Sequence, residues 1–349
     1  MSKVVYLLGA GASYGKRHEI SFRGIGGRPP KSSSGRYAID EGLPVVNEIN
    51  TEISNLIEDI KQSDENYKDP KDNVGQLIKD LVWLRDESSR HMTVDTFAKK
   101  LFLQNDSLAF EKLKKTLSSF FILEQLKYPA DKRYDAFLAN ILSYPGKKIP
   151  NDITILTWNY DSQFEIAYRE FNSTNQPSAS YWKGVRKQLG IKDSHDTEFE
   201  NGKIFKLNGT AIFDYFHSFS LLGESCVDDF KNTIGSIADV HTQFNPNNHL
   251  YFAWESSPTS QYFKELYPHI SNAEILVVIG YTFPYFNRVI DRAIFGTMGS
   301  LKKIYIQDPF AERIHQNINP VLSISHTSIS KVQVYELKDV DQFYLPAEL

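Results

Sequence analysis

Cysteine is almost absent from this chain, which has only Cys226 among its 349 residues. A single cysteine excludes an intrachain disulfide framework and any zinc site built from CxxC pairs. Sparing use of cysteine is typical of proteins in a reducing compartment. We therefore expect the protein in the cytoplasm.

Long apolar runs and an excess of positive charge are missing as well. No stretch approaches the roughly 18 apolar residues of a membrane-spanning helix, and the first residues do not form a secretory signal. We expect a soluble protein without a membrane partner. With 39 Lys and Arg against 43 Asp and Glu, the net charge is -4. This charge does not favour direct binding to nucleic acid.

Short apolar runs are present and have the pattern of buried strands. They are β-branched and apolar on successive residues, which is typical of parallel strands covered on both faces. The runs lie at Val4–Leu8, Ile153–Thr157, Ile204–Leu207, Ile275–Ile279 and Ile304–Ile306. Each is followed by glycine or polar residues, in GAGAS, WNYD, NGT, GYT and QDP. Because ligands of open α/β sheets bind beyond the carboxyl ends of the strands, the pattern predicts an α/β fold with one shared crevice.

Three segments between these runs have a different character. Residues 45–130 repeat apolar residues at helical spacing and are predicted to form a helical subdomain inserted into a single domain, 1–349. Residues 16–41 are rich in Gly, Ser, Pro and basic residues, which predicts a mobile loop. That loop is either a solvated insertion or a cover over an anionic ligand or a partner contact. Residues 171–203 have few apolar residues and are interpreted as loops.

The first strand end, GAGAS, is a weak signal when taken alone. Glycines after a strand let the backbone approach a phosphate. The dehydrogenase pattern GxGxxG has its third glycine where this chain has Tyr14, and the GK[ST] of a P-loop is missing. A structural turn and a phosphate-binding turn both remain open at this point.

The ordered set GAGAS, GLP, TWNYD, KLNGT and GYTF resembles the SIR2 family, whose pattern runs GAGxS, GIP, T-x-N-x-D, K-x-HG and then G-x-S or G-Y-S. The motifs are spread over residues 4–309. The Tyr-Asp of TWNYD, the phrase VVIGYTFPYFNRVIDRAIF and the stretch TVDTFAKKLF (93–102) are similar to the prokaryotic branch found in anti-phage defence. The resemblance implies a Rossmann-like parallel sheet flanked by helices and an enzyme that hydrolyses NAD+ and depletes it in the infected cell.

One group of residues is assigned by the resemblance to the phosphates and the adenosine of NAD+. The turn after the first strand should line the pyrophosphate, with Gly9, Ala10, Gly11, Ala12 and Ser13. The adenosine side should be contacted by Gly280, Tyr281 and Thr282, and Asp308 should hold the adenine ribose.

A second group is assigned to the nicotinamide end. Leu43 and Pro44 should border the nicotinamide, Asn159 should hold its ribose and Asp161 should orient its carboxamide. The other interpretation of Asn159 is a cap on the following helix. The family's catalytic histidine falls at Asn208, and an amide is not a base.

The substitution at Asn208 bears on which reaction is expected. Cleavage of the bond between ribose C1′ and nicotinamide releases a neutral pyridine, so the leaving group needs no proton. The transition state resembles the oxocarbenium ion of glycoside cleavage. Loss of a general base then slows hydrolysis by about 10²–10⁴-fold without abolishing it. Because the zinc ribbon of the deacylase sirtuins is also missing, hydrolysis of NAD+ is favoured over deacylation.

Two hypotheses therefore stand: an NAD+ glycohydrolase, with Asn159, Asp161 and Asn208 at the reacting centre, or a catalytically impaired subunit that binds NAD+ or ADP-ribose in a hetero-complex. Either is expected to act with further copies of itself or with a sensor protein of the same defence system. A dehydrogenase is the weakest interpretation. No metal is expected, because the spacing of His241 and His249 is no metal-ligand pattern and His217 lies among aromatic residues.

Other polar and aromatic residues near the motifs carry a structural interpretation beside a functional one. Asp291 is expected to pair with Arg288 or Arg292 rather than touch a ligand. Trp254 is expected in the core rather than in the crevice, although Trp254 and Glu255 could both reach it.

Overall fold

The computed structural model describes residues 3–15, 42–63, 72–127, 130–171, 179–193, 201–213, 228–243, 249–325 and 332–349. The whole of the predicted loop 16–41 lies outside the described residues, as do Cys226 and His217.

One parallel sheet of seven strands organises the described residues. Its order is β3-β4-β2-β1-β5-β6-β7, and every neighbouring pair is parallel. Without the short edge strand β3, this is the strand order of dinucleotide-binding Rossmann folds. The strands are β1 (Lys3–Leu8), β2 (Ile153–Thr157), β3 (Ile191–Lys192), β4 (Ile204–Lys206), β5 (Ala273–Ile279), β6 (Lys303–Gln307) and β7 (Gln333–Leu337).

Eleven helices flank this sheet in the described part of the chain. They are α1 (Ile49–Ser63), α2 (Asn73–Ser88), α3 (Val94–Leu103), α4 (Ser107–Lys127), α5 (Lys132–Ile141), α6 (Gln163–Tyr168), α7 (Ala179–Leu189), α8 (Asp228–Thr242), α9 (Gln261–Ile270), α10 (Arg288–Thr297) and α11 (Ala311–Ser325). Within the described ranges, none of these helices has the length and apolar character needed to cross a membrane.

The central strands are apolar on successive residues because both faces of the sheet are covered. In β1, Val5 and Leu7 belong to the core under one face, with α9, α10 and α11. Val4, Tyr6 and Leu8 belong to the core under the other face, with α5, α6 and α7. The alternation follows from the two-residue period of a strand. The prediction of an α/β fold with a Rossmann-like parallel sheet is therefore confirmed.

The interpretation of 171–203 as loops is wrong, because this segment contains α7 and β3. The buried stripe of α7 runs through Trp182, Val185, Arg186 and Leu189, at helical spacing. A buried arginine occupies one position of the stripe, so the segment has few apolar residues although one of its faces is fully buried.

The segment predicted as a helical subdomain, 45–130, contains α1 to α4, which lie between β1 and β2 in the sequence. These helices form a third core together with α8, which comes from a distant part of the chain. Helix α4 is buried on all sides from Thr116 to Lys127. The helical layer is thus assembled from two separate segments, and its inner surface faces the carboxyl edge of the sheet.

Candidate functional site

A large cavity of about 1120 Å³ lies at the carboxyl edge of the sheet. It lies at the end of β1, where the strand order of the sheet changes direction. Strands β2 to β4 lie on one side of β1, and strands β5 to β7 lie on the other. Ligands of doubly wound sheets bind at this switch point. The loops after β1, β2, β4, β5 and β6 all reach the cavity, and the starts of α1 and α3 with the middle of α4 close it from the helical side.

Nearly all residues that the sequence assigns to NAD+ line this one cavity. The exception is Ala12, which is fully buried in the core between the sheet and α5. Its carbonyl oxygen accepts a hydrogen bond from Arg133 Nη2 at 2.9 Å. The lining residues from the prediction are Gly9, Ala10, Gly11, Ser13, Leu43, Pro44, Asn159, Asp161, Asn208, Gly280, Tyr281, Thr282 and Asp308.

The glycines of GAGAS are required by contact between two backbones. A Cβ on Gly9 or Gly11 would lie 2.7 Å from the backbone of Gly280. Gly280 has a φ of +59°, and a Cβ there would lie 2.4 Å from Ala12 N. The amides of Gly9 and Gly11 donate to Ile279 O and Gly280 O, both at 3.0 Å. The glycines therefore let this turn approach the loop after β5. The N–H groups of Gly9 and Gly11 are already hydrogen-bonded within the protein.

Ser13 is the centre of a buried hydrogen-bond cluster. Its Oγ donates to Asp161 Oδ2 at 2.7 Å and accepts from Asn159 Nδ2 at 3.1 Å. Because the one hydroxyl proton of Ser13 goes to Asp161, the Tyr134 hydroxyl, 2.8 Å away, is the donor in the third contact. The cluster fixes Asn159 and Asp161 relative to the first turn, and Asn159 does not cap the following helix. The side chain that accepts a hydrogen bond at the start of this helix is Asp161, whose Oδ1 accepts from Gln163 N at 3.2 Å.

A chain of buried charges lies behind Asp161. Lys206 Nζ donates to the backbone carbonyl of Asp161 and lies 3.7 Å from Glu165 Oε1. Arg186 bridges Glu165 and Asp193 at 3.0 and 2.9 Å. Burial raises the pKa of the Asp161 carboxyl, although the nearby Lys206 ammonium opposes the shift. Paired charges of this kind hold the strand ends in one geometry.

Asn208 carries an unsatisfied acceptor at the cavity. Its Nδ2 donates to Trp158 O at 3.2 Å, which leaves Oδ1 as the acceptor of the amide. Among the described residues no donor reaches this Oδ1, and the side chain is 8% exposed. A buried acceptor without a partner costs about 1–3 kcal/mol. A ligand hydroxyl or N–H in the cavity would remove that cost.

The segment Gly42-Leu43-Pro44 is held against the turn after β1. Leu43 N donates to Ser13 O at 2.7 Å, and a Cβ on Gly42 would lie 2.3 Å from the same oxygen. The next residues approach Tyr14, whose hydroxyl donates to Glu48 Oε1 at 2.9 Å. The two motifs are therefore adjacent in space, although a long stretch of sequence separates them.

The residues predicted for the adenosine side have different environments. Tyr281 is buried, stacks on Trp158 and donates its hydroxyl to Asp291 Oδ2 at 2.8 Å. Thr282 is exposed at the cavity rim. Asp308 accepts from Phe310 N through Oδ1 at 2.8 Å, and burial raises the pKa of its carboxyl.

Three further predictions concern residues outside the cavity lining. Asp291 accepts a hydrogen bond from Tyr281, and burial raises its pKa to about 8, although the Arg288 charge opposes the shift. Trp254 packs on Phe252 in the helical core, with ring centroids 5.2 Å apart. Buried His241 lies between Ser119 and Asp80 in the helical layer. In the described residues there is no group of three or more His, Cys, Asp or Glu side chains placed to hold a metal.

The cavity also contains charged residues that the sequence reasoning missed. Asp95 comes from the first turn of α3 and Arg133 from α5, while Arg288 and Arg313 come from the helices after β5 and β6. Thr93 and Asp95 stand in the stretch TVDTF, where a Thr followed by an acid before an apolar run is a helix-start signal. Such a signal explains the residue types without a ligand, so it did not single them out.

Comparison of the chain with protein-family models, with curated proteins and with solved structures finds no match, and its function is therefore inferred from the fold and the cavity.

Proposed function

We propose that this protein is a SIR2-like NAD+ glycohydrolase, which cleaves NAD+ to nicotinamide and ADP-ribose. The observation that carries the proposal is one cavity at the switch point of a Rossmann-like sheet, lined by Asn159, Asp161 and Asn208 from two neighbouring strand ends. Its volume of about 1120 Å³ exceeds the usual range of small-ligand pockets, roughly 300–1000 Å³, and is ample for a dinucleotide.

The orphaned acceptor of Asn208 fits a ribose hydroxyl. Nicotinamide riboside presents two hydroxyl donors next to the bond that breaks, and Asn208 Oδ1 is a buried acceptor on the cavity wall. The Ser13 cluster holds Asn159 and Asp161 rigid on the same wall. A carboxylate beside the reacting centre stabilises an oxocarbenium-like transition state electrostatically.

The cationic residues of the cavity suit the phosphates. Arg288 and Arg313 line the cavity from the helices after β5 and β6, near Thr282 and Asp308. Arginine is suited to phosphate because its planar guanidinium donates two parallel hydrogen bonds. We assign the phosphates to these arginines together with the turn after β1, the adenosine to the half of the cavity with Thr282 and Asp308, and the nicotinamide riboside to the half with Asn159 and Asn208.

Release of nicotinamide from NAD+ by the purified full-length protein tests the proposal. Asn159→Ala should abolish the release, because this amide is fixed beside the reacting centre, while Asn140→Ala on the exposed face of α5 should not change it. The conversion Asn208→His restores a base at the family's position and should raise the rate. If NAD+ binds saturably and no nicotinamide appears under any activating condition, the proposal is wrong.

A second candidate function, a subunit that binds NAD+ or ADP-ribose without cleaving it, is favoured by one observation. The amide of Asn208 is held by the carbonyl of Trp158 and has no basic nitrogen. Calorimetric titration with NAD+ and ADP-ribose, beside the nicotinamide assay, separates the two functions.

An enzyme that depletes NAD+ has to be silent until it is triggered, so we further propose control by oligomerisation or by a sensor protein of an anti-phage system. The helical layer is the element suited to this control, because the starts of α1 and α3 close one side of the cavity. Light scattering of the protein before and after activation would detect a change of oligomeric state.

A further inference from the structure

Among the described residues, helix α3 contributes one carboxylate to the cavity wall, that of Asp95. It follows the N-cap residue Thr93 in the first turn of α3. The same cavity is lined by the apolar side chains of Leu117 and Phe121 from α4, together with Tyr160. The charge of Asp95 raises the pKa of the Tyr160 hydroxyl beyond the effect of burial, so the two side chains are near each other.

Tyr160 links this wall to the reacting centre. It stands between Asn159 and Asp161 in the sequence, and its carbonyl accepts from Ala211 N at 2.8 Å, in the loop that carries Asn208. Asp95 therefore lines the same cavity as Asn159 and Asp161, and its charge acts on the tyrosine that stands between them in the sequence.

The other carboxylates that the site uses are held by the protein. Asp161 accepts from Ser13 and from Gln163 N. Glu48 accepts from the Tyr14 hydroxyl and from Val45 N. Asp308 accepts from Phe310 N. In contrast, no side chain in the described part of the chain donates a hydrogen bond to Asp95 or forms an ion pair with it, and the backbone hydrogen bond that it accepts comes from its own helix start.

The environment of Asp95 suits a group that takes up a proton near neutral pH. Burial raises the pKa of its carboxyl to about 6, and the backbone N–H at the helix start opposes the shift only in part. Lys114 and Glu255, which lie beyond Tyr160, are paired with each other at 2.9 Å. Helix α2 presents the ring of Trp83 to Phe97 of α3. Other titratable groups that line the same cavity include Tyr160, Asp161, Glu48 and Arg133.

We propose that Asp95 is the general base of the hydrolysis, the role that the amide of Asn208 does not perform. This inference rests on the proposed NAD+ glycohydrolase function. The bond between ribose C1′ and the pyridinium nitrogen breaks, and its electron pair stays on the nitrogen, so nicotinamide leaves neutral. A water oxygen bonds to C1′, and one water proton passes to the Asp95 carboxylate and then to solvent.

The decisive experiment measures hydrolysis of NAD+ by wild-type protein, Asp95→Asn and Asp95→Glu from pH 4.5 to 8.5, with NAD+ binding measured by calorimetry. Those pH limits bracket the pKa of about 6. Asp95→Asn should lower kcat by about 10²–10⁴-fold and leave the Kd for NAD+ within about threefold. The wild-type kcat should fall about tenfold per pH unit on the acid side, and Asp95→Asn should lose this limb while Asp95→Glu keeps it.

Asp106→Asn is the matched control. Asp106 is also an acid at a helix start, where its Oδ1 accepts from Ala109 N at 3.1 Å, but it is exposed and does not line the cavity. Its variant should retain the wild-type kcat and pH profile. A loss caused only by removing a helix-start charge would affect both variants.

The failures are distinguishable. If the wild type releases nicotinamide and Asp95→Asn keeps the wild-type kcat or its acid limb, the base assignment is wrong and the glycohydrolase stands. If the wild type binds NAD+ but never cleaves it, both fail. Should Asp95→Asn fold poorly, the wild-type profile still decides, because a kcat that does not fall on the acid side overturns the assignment.

Discussion

The two walls of the cavity hold their polar side chains in different ways. On the sheet side, Ser13, Asn159 and Asp161 are joined by hydrogen bonds, and a chain of buried ion pairs backs them. On the helical side, Asp95 lies among apolar and aromatic residues, and no described side chain donates to it. Side chains whose hydrogen bonds are made within the protein can orient a ligand. A carboxylate without a side-chain donor can instead exchange a proton with a ligand or a water molecule in the cavity.

The largest expected effect concerns the ion pairs behind the sheet-side wall. Arg186→Leu leaves the buried carboxylates of Glu165 and Asp193 without their shared partner and should lower the free energy of unfolding by about 3–5 kcal/mol. Urea denaturation measures the change. The control Arg90→Leu removes a surface ion pair with Glu87 and should cost at most about 1 kcal/mol. Equal losses in the two variants would contradict a wall fixed by buried charge.

A substitution in the loop after β5 tests the backbone part of the same wall. Gly280→Ala adds a Cβ at a φ of +59° and 2.4 Å from Ala12 N, so it should destabilise the fold by at least about 1–3 kcal/mol. Gly296→Ala in α10 meets no atom within 4 Å and should stabilise it by about 0.4–1 kcal/mol. Thermal unfolding of both variants checks the opposite signs. A Gly280→Ala protein as stable as wild type would mean that the two loops are not in contact.

Removal of the central hydroxyl should separate orientation from stability. Ser13→Ala leaves the Tyr134 hydroxyl and Asp161 Oδ2 without their buried partner, which should cost about 1–3 kcal/mol of unfolding free energy and weaken NAD+ binding. Calorimetry with NAD+ and urea denaturation give the two numbers. Ser89→Ala, which removes an exposed hydroxyl bonded to Asp86 O, should change stability by less than about 0.5 kcal/mol. Unchanged NAD+ binding in Ser13→Ala would argue against the role of the cluster.

The smallest expected effect belongs to the helical wall and depends on pH. Because burial raises the pKa of Asp95 to about 6, its stability contribution is full at low pH and lost as the pH rises through 6. Asp95 is only half-buried, so solvent screens part of its charge. Asp95→Asn should therefore gain stability over the wild type between pH 4 and pH 8, on the order of 1 kcal/mol. Thermal unfolding at both pH values measures the difference. If Asp95 only stabilised the helix start, Asp95→Asn would instead be less stable than the wild type at pH 8.

Some parts of this fold could be predicted from the sequence because one physical signal dominates them. The central strands are apolar on both faces, and the strand ends of a parallel sheet meet at one edge, so GAGAS, TWNYD, KLNGT and GYTF could be expected together. Other parts give no such signal. β3 has two residues, β7 is largely exposed, and the stripe of α7 is interrupted by Arg186.

The cavity residues that could not be predicted from the sequence were missed for the same reason. Asp95 and Arg133 each have a sufficient local explanation, as an acid in a first helical turn and as the partner of Asp131. Only the three-dimensional arrangement shows that they also line the cavity. The contact between Gly11 and Gly280 was likewise hidden, because a glycine needed for a neighbouring backbone cannot be told from one needed for a phosphate.

The separation in sequence of the groups that form the cavity has a kinetic consequence. Ser13 and Asp161 are 148 positions apart, and Arg133 reaches Val340 across 207. Contacts this distant require loop closure before they contribute, so chains rich in them fold slowly. The pocket should be among the last features to mature during refolding, and a binding signal should lag behind the recovery of helical circular dichroism.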